Sequence, residues 1–278
     1  MQSEFHHASI IIDDPLLREN YGFLNYRKLL ALMDKHNFHT SIAFIPFNFK
    51  RTDERIAAIF KERPDRFSLC VHGCDHTKGE FERTDLNYLD NKVKLATARM
   101  IEHEKRTGIP FDRIMVFPQG KFSNTALEAL KKNNYLAAVN TEAMPVDGHI
   151  SSTFPFLLRY KPEDVTACVS DPIFIVLHHD YFKNNGYERL TDFVDELNTR
   201  SKNVKWDSVG NIVRSFVSIN EVAYNPADVD LSGLKYYGYK ENVKILLRRY
   251  ASEFRDNYLC KNDFLLNCAK QVKSLISK

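Results

Sequence analysis

The chain has 278 residues, 44% of them hydrophobic and 27% charged, a length and balance that exclude a disordered tail or a disulfide-stapled miniature and allow a sizeable core. Its formal net charge of +3 is too small to point to nucleic acid, and the densest basic stretch, residues 240–249, is broken by apolar positions. Five cysteines without framework spacing, no window of membrane-spanning length and no basic-then-apolar leader predict a cytoplasmic protein with reduced thiols and no membrane span.

Residues 8–12 are an apolar, β-prone run that ends in Asp13-Asp14-Pro15. Tyr26, Leu29, Leu30 and Met33 follow at helical spacing. The pattern then predicts a strand over 39–47, a helix over 52–62 that stops before Pro64, and a third strand over 67–72. That strand runs into His72-Gly73-Cys74-Asp75-His76, with two imidazoles four residues apart. A long helix over 85–107 carries Leu89, Val93, Ala96 and Met100 on one face and ends at Gly108 and Pro110. A fourth strand over 113–117 leads to Pro118-Gln119-Gly120, Ser123 caps a helix through Lys132, and a fifth strand covers 135–140. Residues 141–167 read as a loop with an irregular strand. Residues 173–177 are a buried strand ending in His178-His179-Asp180, followed by a helix on Leu190, Phe193, Val194 and Leu197 and a short last strand at 204–206.

Alternating strands and helices predict a parallel sheet with helical crossovers, closed as a barrel or open. The polar candidates gather at strand C-terminal ends, where both architectures place chemistry. No glycine-rich phosphate loop follows any strand, which argues against a nucleotide site. The boundary falls near 217: residues 1–217 read as the α/β unit, and 218–278 as a helical appendage with one helix on Val243, Leu246, Leu247 and Tyr250 and another on Leu265, Cys268, Val272 and Leu275.

Two histidines held at a strand mouth can share a metal ion, with a third ligand from Asp13 or Asp14 at the end of the first strand. Catalytic zinc sites take three such ligands and keep a position open for water. A rival grouping is Cys70, His72, Cys74 and His76 as a structural zinc site, although four ligands along one extended strand span too far to wrap an ion. Phe44, Phe47, Phe122, Tyr181 and Phe182 lie near predicted strand ends, as core residues or as stacking faces for a sugar.

In this order, Asp13-Asp14, His72-x-x-x-His76, Pro118-x-Gly120 and Leu177-x-His179-Asp180 resemble the polysaccharide deacetylase (NodB-homology) family across residues 8–217. The resemblance implies a distorted (β/α) barrel of about seven units rather than eight. It also implies one divalent metal ion and hydrolysis of an N- or O-acetyl group on a carbohydrate or glycoconjugate, in surface-glycan biosynthesis. Carried over by position, Asp14, His72 and His76 are the metal ligands, Asp13 is the general base and His179 the general acid, with His178 beside it as the alternative. Zinc is the default ion; cobalt, nickel or manganese suit the same donors. A backbone N–H just after His72 is the expected oxyanion donor. The chain departs from the family at Gly73, where Ser or Thr is usual, and at Val116, where an Arg normally orients the base; no Asp-and-Trp fourth motif is present. Arg113, Lys121 and Arg159 are the candidate replacements for that Arg. Rival functions are a non-catalytic carbohydrate-binding or scaffold protein and a carbon–nitrogen hydrolase acting on a small amide or formamide.

Overall fold

In the computed structural model, which describes residues 6–165, 171–200, 204–217 and 239–267, the apolar runs pair as parallel strands that close on themselves. The ring consists of β1 (His6–Asp13), β4 (Thr40–Phe44), β5 (Phe67–His72), β6 (Asp112–Val116), β7 (Ala137–Asn140), β8 (Phe156–Tyr160) and β9 (Ile173–His178), in that order, with β9 paired back on β1. A small hairpin, β2 (Asn20–Tyr21) and β3 (Leu24–Asn25), follows β1. Strand β10 (Val204–Trp206) lies outside the ring and pairs with residues 6–8 of β1, below the point where β4 takes over at Ile10. The barrel expected from the motifs is therefore present, with seven strands.

Side-chain alternation along the strands makes two apolar layers. Ile10, Ile12, Ile42, Phe44, Leu69 and Val71 pack outward against the helices α1 (Tyr26–His36), α2 (Glu54–Glu62), α3 (Leu86–Thr107), α4 (Asn124–Lys132) and α5 (Gly186–Arg200). Ile11, Ala43, Cys70, Val116, Val139 and Phe174 form the inner layer, joined by Val209, Ile212 and Val213 of α6 (Val209–Phe216). Each buried Val, Leu, Ile or Phe among these contributes about 1.5–3 kcal/mol. Caps set the helix starts: Asn25, Asp53, Asp85 and Ser123 each accept a backbone N–H of the first turn, and Gly108 ends α3 with φ 72°.

The structure corrects several boundaries. The second expected strand stops at Phe44, because Pro46, which lacks an N–H, opens a 3-10 turn at Pro46–Asn48. The irregular stretch contains β8, and residues 166–167 lie outside the described part. The hairpin β2–β3 was not predicted, since two-residue strands carry no period. The first tail helix is α7 (Tyr239–Asn257); the second falls almost wholly on residues outside the described part.

Helix α7 is tied to the C-terminal end of the ring. Arg18 and Arg51 both pair with Glu253, Gly22 N donates to Asn257 Oδ1 at 2.7 Å, and Arg249 reaches the His76 carbonyl. These partners lie in the segments that follow β1, β4 and β5.

Residue His103 of α3 makes the fold sensitive to acid. It is fully buried beside Phe44, with Nε2 2.8 Å from Thr52 Oγ1 and Nδ1 without a partner. Burial, and then the Arg106 charge, pushes its pKa down to about 4 from an ordinary 6.5. The unfolded chain therefore takes a proton here below pH 6.5 that the folded chain refuses until about pH 4. Stability from this group is complete above that window and falls as pH drops through it, by about 1.5 kcal/mol between pH 6.5 and 5. Denaturant unfolding at both pH values checks this: the loss shrinks in His103→Gln, and an unchanged loss would refute the role.

Candidate functional site

The site begins at the last two residues of β1. Asp13 keeps the strand's direction and faces the ring interior, where Arg159 of β8 donates to both carboxylate oxygens at 2.6 and 2.7 Å. Asp14 leaves the strand with a left-handed φ of 77°. Its Oδ1 lies 3.4 Å from His72 Nε2 and 3.1 Å from His76 Nε2.

Each histidine is held in place by its own surroundings. His72 is the last residue of β5, and its Nδ1 donates to the Val116 carbonyl at 2.9 Å. A carbonyl only accepts, so Nδ1 carries a proton and Nε2 is the nitrogen turned toward Asp14. His76 sits in the loop after β5 with φ 55°. That loop is pinned by the buried Glu80, whose carboxylate accepts the N–H groups of Cys74, Asp75 and His76 at 3.0–3.1 Å. Beneath it, the fully buried Asp75 pairs with Lys92 and with Arg99, at 2.5 and 2.6 Å. Gly73 has φ 61°, and a Cβ there would meet Glu80 Oε1 at 2.2 Å and Pro118 Cγ at 2.4 Å. The packing of Glu80 and Pro118 therefore excludes the Ser or Thr expected by resemblance.

Electrostatics favour a negatively charged strand end. Burial alone raises the Asp13 carboxyl, but the Arg159 charge and hydrogen bonds, with His72 and His178 nearby, hold it below the ordinary range. For Asp14 burial is likewise outweighed, here by contact with His72 and by the charges of His76 and His178, and its carboxyl lies well below the ordinary range. Burial lowers both ligand-candidate histidines. Asp13 and Asp14 pull His72 back above its usual value, whereas His76 falls to about 4.

One oxygen and two imidazole nitrogens thus converge within 4.8 Å of one another, the only such cluster of histidine, cysteine and acidic groups among the described residues. Asp14 Oδ1 is buried and has no hydrogen-bond partner. An Asp-His-His donor set with an orphaned carboxylate oxygen at its centre fits a divalent first-row ion.

The structure selects among the other candidates. Of the three replacement cations, Arg159 holds Asp13; Arg113 reaches the Asn133 carbonyl and Lys121 faces Glu82. The rival four-ligand grouping fails, because Cys70 lies in the inner apolar layer and Cys74 Sγ accepts from Arg99 Nη1 at 3.3 Å. Burial pushes both thiols well above their usual range. The expected oxyanion donor after His72 is also corrected: Gly73 N already donates to the Val116 carbonyl at 3.1 Å. Phe44, Phe122 and Phe182 are core residues.

His178, the last residue of β9, and His179, which follows it, diverge. His178 Nε2 lies 3.8 Å from Asp13 Oδ2, whereas His179 Nε2 lies 3.4 Å from Asp256 Oδ1 on α7. Tyr21 and Arg255 also donate to Asp256, at 2.8 and 2.7 Å. Sequence reading missed Glu80 and Asp256. Thr77-x-x-Glu80 is a weak turn signal for the first, and nothing in the sequence ties Asp256 to His179.

No family model and no curated protein matches the chain. Solved structures do, at identities that speak to fold alone. A protein assigned as a polysaccharide deacetylase from Mycobacterium smegmatis is 10% identical, with a TM-score of 0.53 over 79% of this chain and 94% of that chain. The Xyl-CE4 domain of a multidomain xylanase from the hindgut metagenome of Trinervitermes trinervoides is 11% identical, with a TM-score of 0.49 over 79% and 94% of the two chains. A CE4-family pseudoenzyme from Bacillus anthracis is 10% identical, with a TM-score of 0.47 over 74% and 64%. The chain shares the barrel fold of the polysaccharide deacetylases.

Two measurements test the site. Calorimetric titration with zinc should give one ion per chain, bound at least about 100-fold more weakly in Asp14→Ala; equal affinity in the variant would remove Asp14 from the site. Arg159→Met leaves the Asp13 carboxylate buried and unpaired, and should cost about 3–5 kcal/mol in denaturant unfolding. A loss under about 1 kcal/mol would show that the pair is solvated.

Proposed function

We propose that this protein is a metal-dependent hydrolase that removes an acetyl or other small acyl group from an N- or O-acylated carbohydrate. The observation that carries the reading is the adjacency of two differently held carboxylates: Asp14 facing His72 and His76, and Asp13 clamped by Arg159. Such an arrangement separates metal holding from proton transfer on consecutive residues.

Asp14, His72 and His76 hold the ion, zinc by default. A divalent ion there polarises an acyl carbonyl and makes a water more acidic. The chain's own residues do the rest. Asp13, kept ionised by Arg159, accepts the proton of the attacking water. Arg159 fixes both carboxylate oxygens, so the accepting lone pair points in one direction. A histidine at the end of β9 supplies the proton that the leaving nitrogen or oxygen needs. The fold likeness supports a carbohydrate as the substrate class; surface-glycan biosynthesis as the setting rests on the motif resemblance alone. Cys70, Cys74 and Cys260 are free thiols, in keeping with the reducing, cytoplasmic location we propose; among the described residues no helix is long and apolar enough to cross a membrane. We read residues 1–217 as the barrel unit and 218–278 as its appendage.

Acetate release from N-acetylated amino sugars by the zinc-loaded protein tests this function. Asp13→Asn should retain the ion and lose about 10²–10⁴ in turnover, while Asp14→Ala should lose both. Full activity in Asp13→Asn would refute its role as base. Sugar binding without turnover by wild type would support the non-catalytic alternative, and turnover of formamides alone would point to the small-amide hydrolase.

A further inference from the structure

His178 and His179 are consecutive at a strand end, so their side chains leave on opposite sides. His178 is in register with Asp13 on β1 and shares its face. Its side chain is 52% exposed, and its Nε2 is 3.8 Å from Asp13 Oδ2. It is therefore at the mouth, beside the proposed base and open to an incoming substrate.

His179 has the opposite environment. Its side chain is 10% exposed, and its Nε2 faces Asp256 at 3.4 Å. Its Nδ1 is buried without a partner and lies against Gly22, where an added Cβ would come within 2.0 Å. Tyr21 packs edge-on to the ring at 5.4 Å and Phe23 stacks on it at 6.4 Å. One ring nitrogen faces Asp256 and the other is sealed beneath the hairpin, so neither is presented to a leaving group. What the ring does touch is α7, through Asp256, which also receives Tyr21 and Arg255.

We infer that the two histidines divide two tasks: His178 is the proton donor of the reaction, and His179 with Asp256 is a clasp that fastens α7 to the hairpin beside the mouth. The inference rests on the hydrolase reading above, and assigns the donor to the histidine that the family resemblance does not select. In the step, water adds to the acyl carbon and its proton goes to Asp13. The carbon–nitrogen or carbon–oxygen bond then breaks, and the leaving atom keeps the electron pair and takes the Nε2 proton of His178. Acid and free amine or hydroxyl depart, and the proton on Asp13 returns to His178 across the 3.8 Å gap, restoring both groups. His179→Gln and Asp256→Asn act on positioning alone.

Leaving-group dependence separates the tasks. A sugar amine or alkoxide needs a proton to depart, whereas 4-nitrophenolate does not. The zinc-loaded full chain is assayed on an N-acetylated amino sugar and on 4-nitrophenyl acetate, and the ratio of the two kcat values is compared. His178→Gln should lower the sugar-to-ester ratio by about 100-fold or more. His179→Gln and Asp256→Asn should keep the ratio within about three-fold of wild type while increasing protease cleavage within α7. A ratio that collapses in His179→Gln or Asp256→Asn and persists in His178→Gln would overturn the inference while leaving the hydrolase reading intact. A wild type that hydrolyses neither compound would overturn the hydrolase reading and the donor role with it, and the proteolysis comparison would still decide the clasp.

Discussion

The left-handed backbone at Asp14, φ 77°, is the constraint on which the site depends. In a continuing strand, Asp13 and Asp14 would point to opposite faces of the sheet, and their carboxylates would never share a mouth. The turn leaves Asp13 inside the ring with Arg159 and swings Asp14 toward His72 and His76. An L-residue in that conformation costs about 1–2 kcal/mol, so the surroundings must hold it there. His76 repeats the device at φ 55°, and there the holding group is visible: Glu80, which gathers the backbone N–H groups of the loop.

Charge buried near the mouth serves geometry more than stability. A buried ion pair recovers little beyond its own desolvation, but loses heavily if one partner goes. Asp13 with Arg159, and Asp75 with Lys92 and Arg99, both have this character, since all five side chains are nearly inaccessible. Each pair ties a site segment to an element across the fold: β1 to β8 in one case, the His76 loop to α3 in the other. Helix α7 adds a third tie, through Glu253, Asp256 and Asn257, to the loops after β1 and β4. Helix α7, within the proposed appendage, therefore lies against the mouth of the ring.

Much of this was legible in the sequence because it rests on local pattern. The strands of the ring are short apolar runs bounded by polar turns, and the caps at Asp85, Ser123 and Gly108 mark helix ends by residue type alone. That His72 and His76 meet the Asp13-Asp14 pair was readable because strand C-terminal ends of such sheets meet at one mouth; the choice of Asp14 over Asp13 came from the family resemblance. The rest depends on contacts between distant segments. Arg159 was one of three cations with equal claim until β8 placed it opposite Asp13. Asp256 could not be found, because nothing periodic connects α7 to the end of β9. The N–H of Gly73 looked free until the pairing of β5 with β6 gave it the Val116 carbonyl. Residue type and order pointed to the candidate ligands; their partners came only with the ring's closure.

The account stands on the claim that one divalent ion sits between the ends of β1 and β5. The most direct test is a crystal structure of the zinc-soaked protein with anomalous data collected across the zinc absorption edge. The account predicts one strong peak within about 2.0–2.2 Å of Asp14 Oδ1, His72 Nε2 and His76 Nε2. Absence of a peak there, with the three side chains ordered as described or with the ion bound elsewhere, would contradict it.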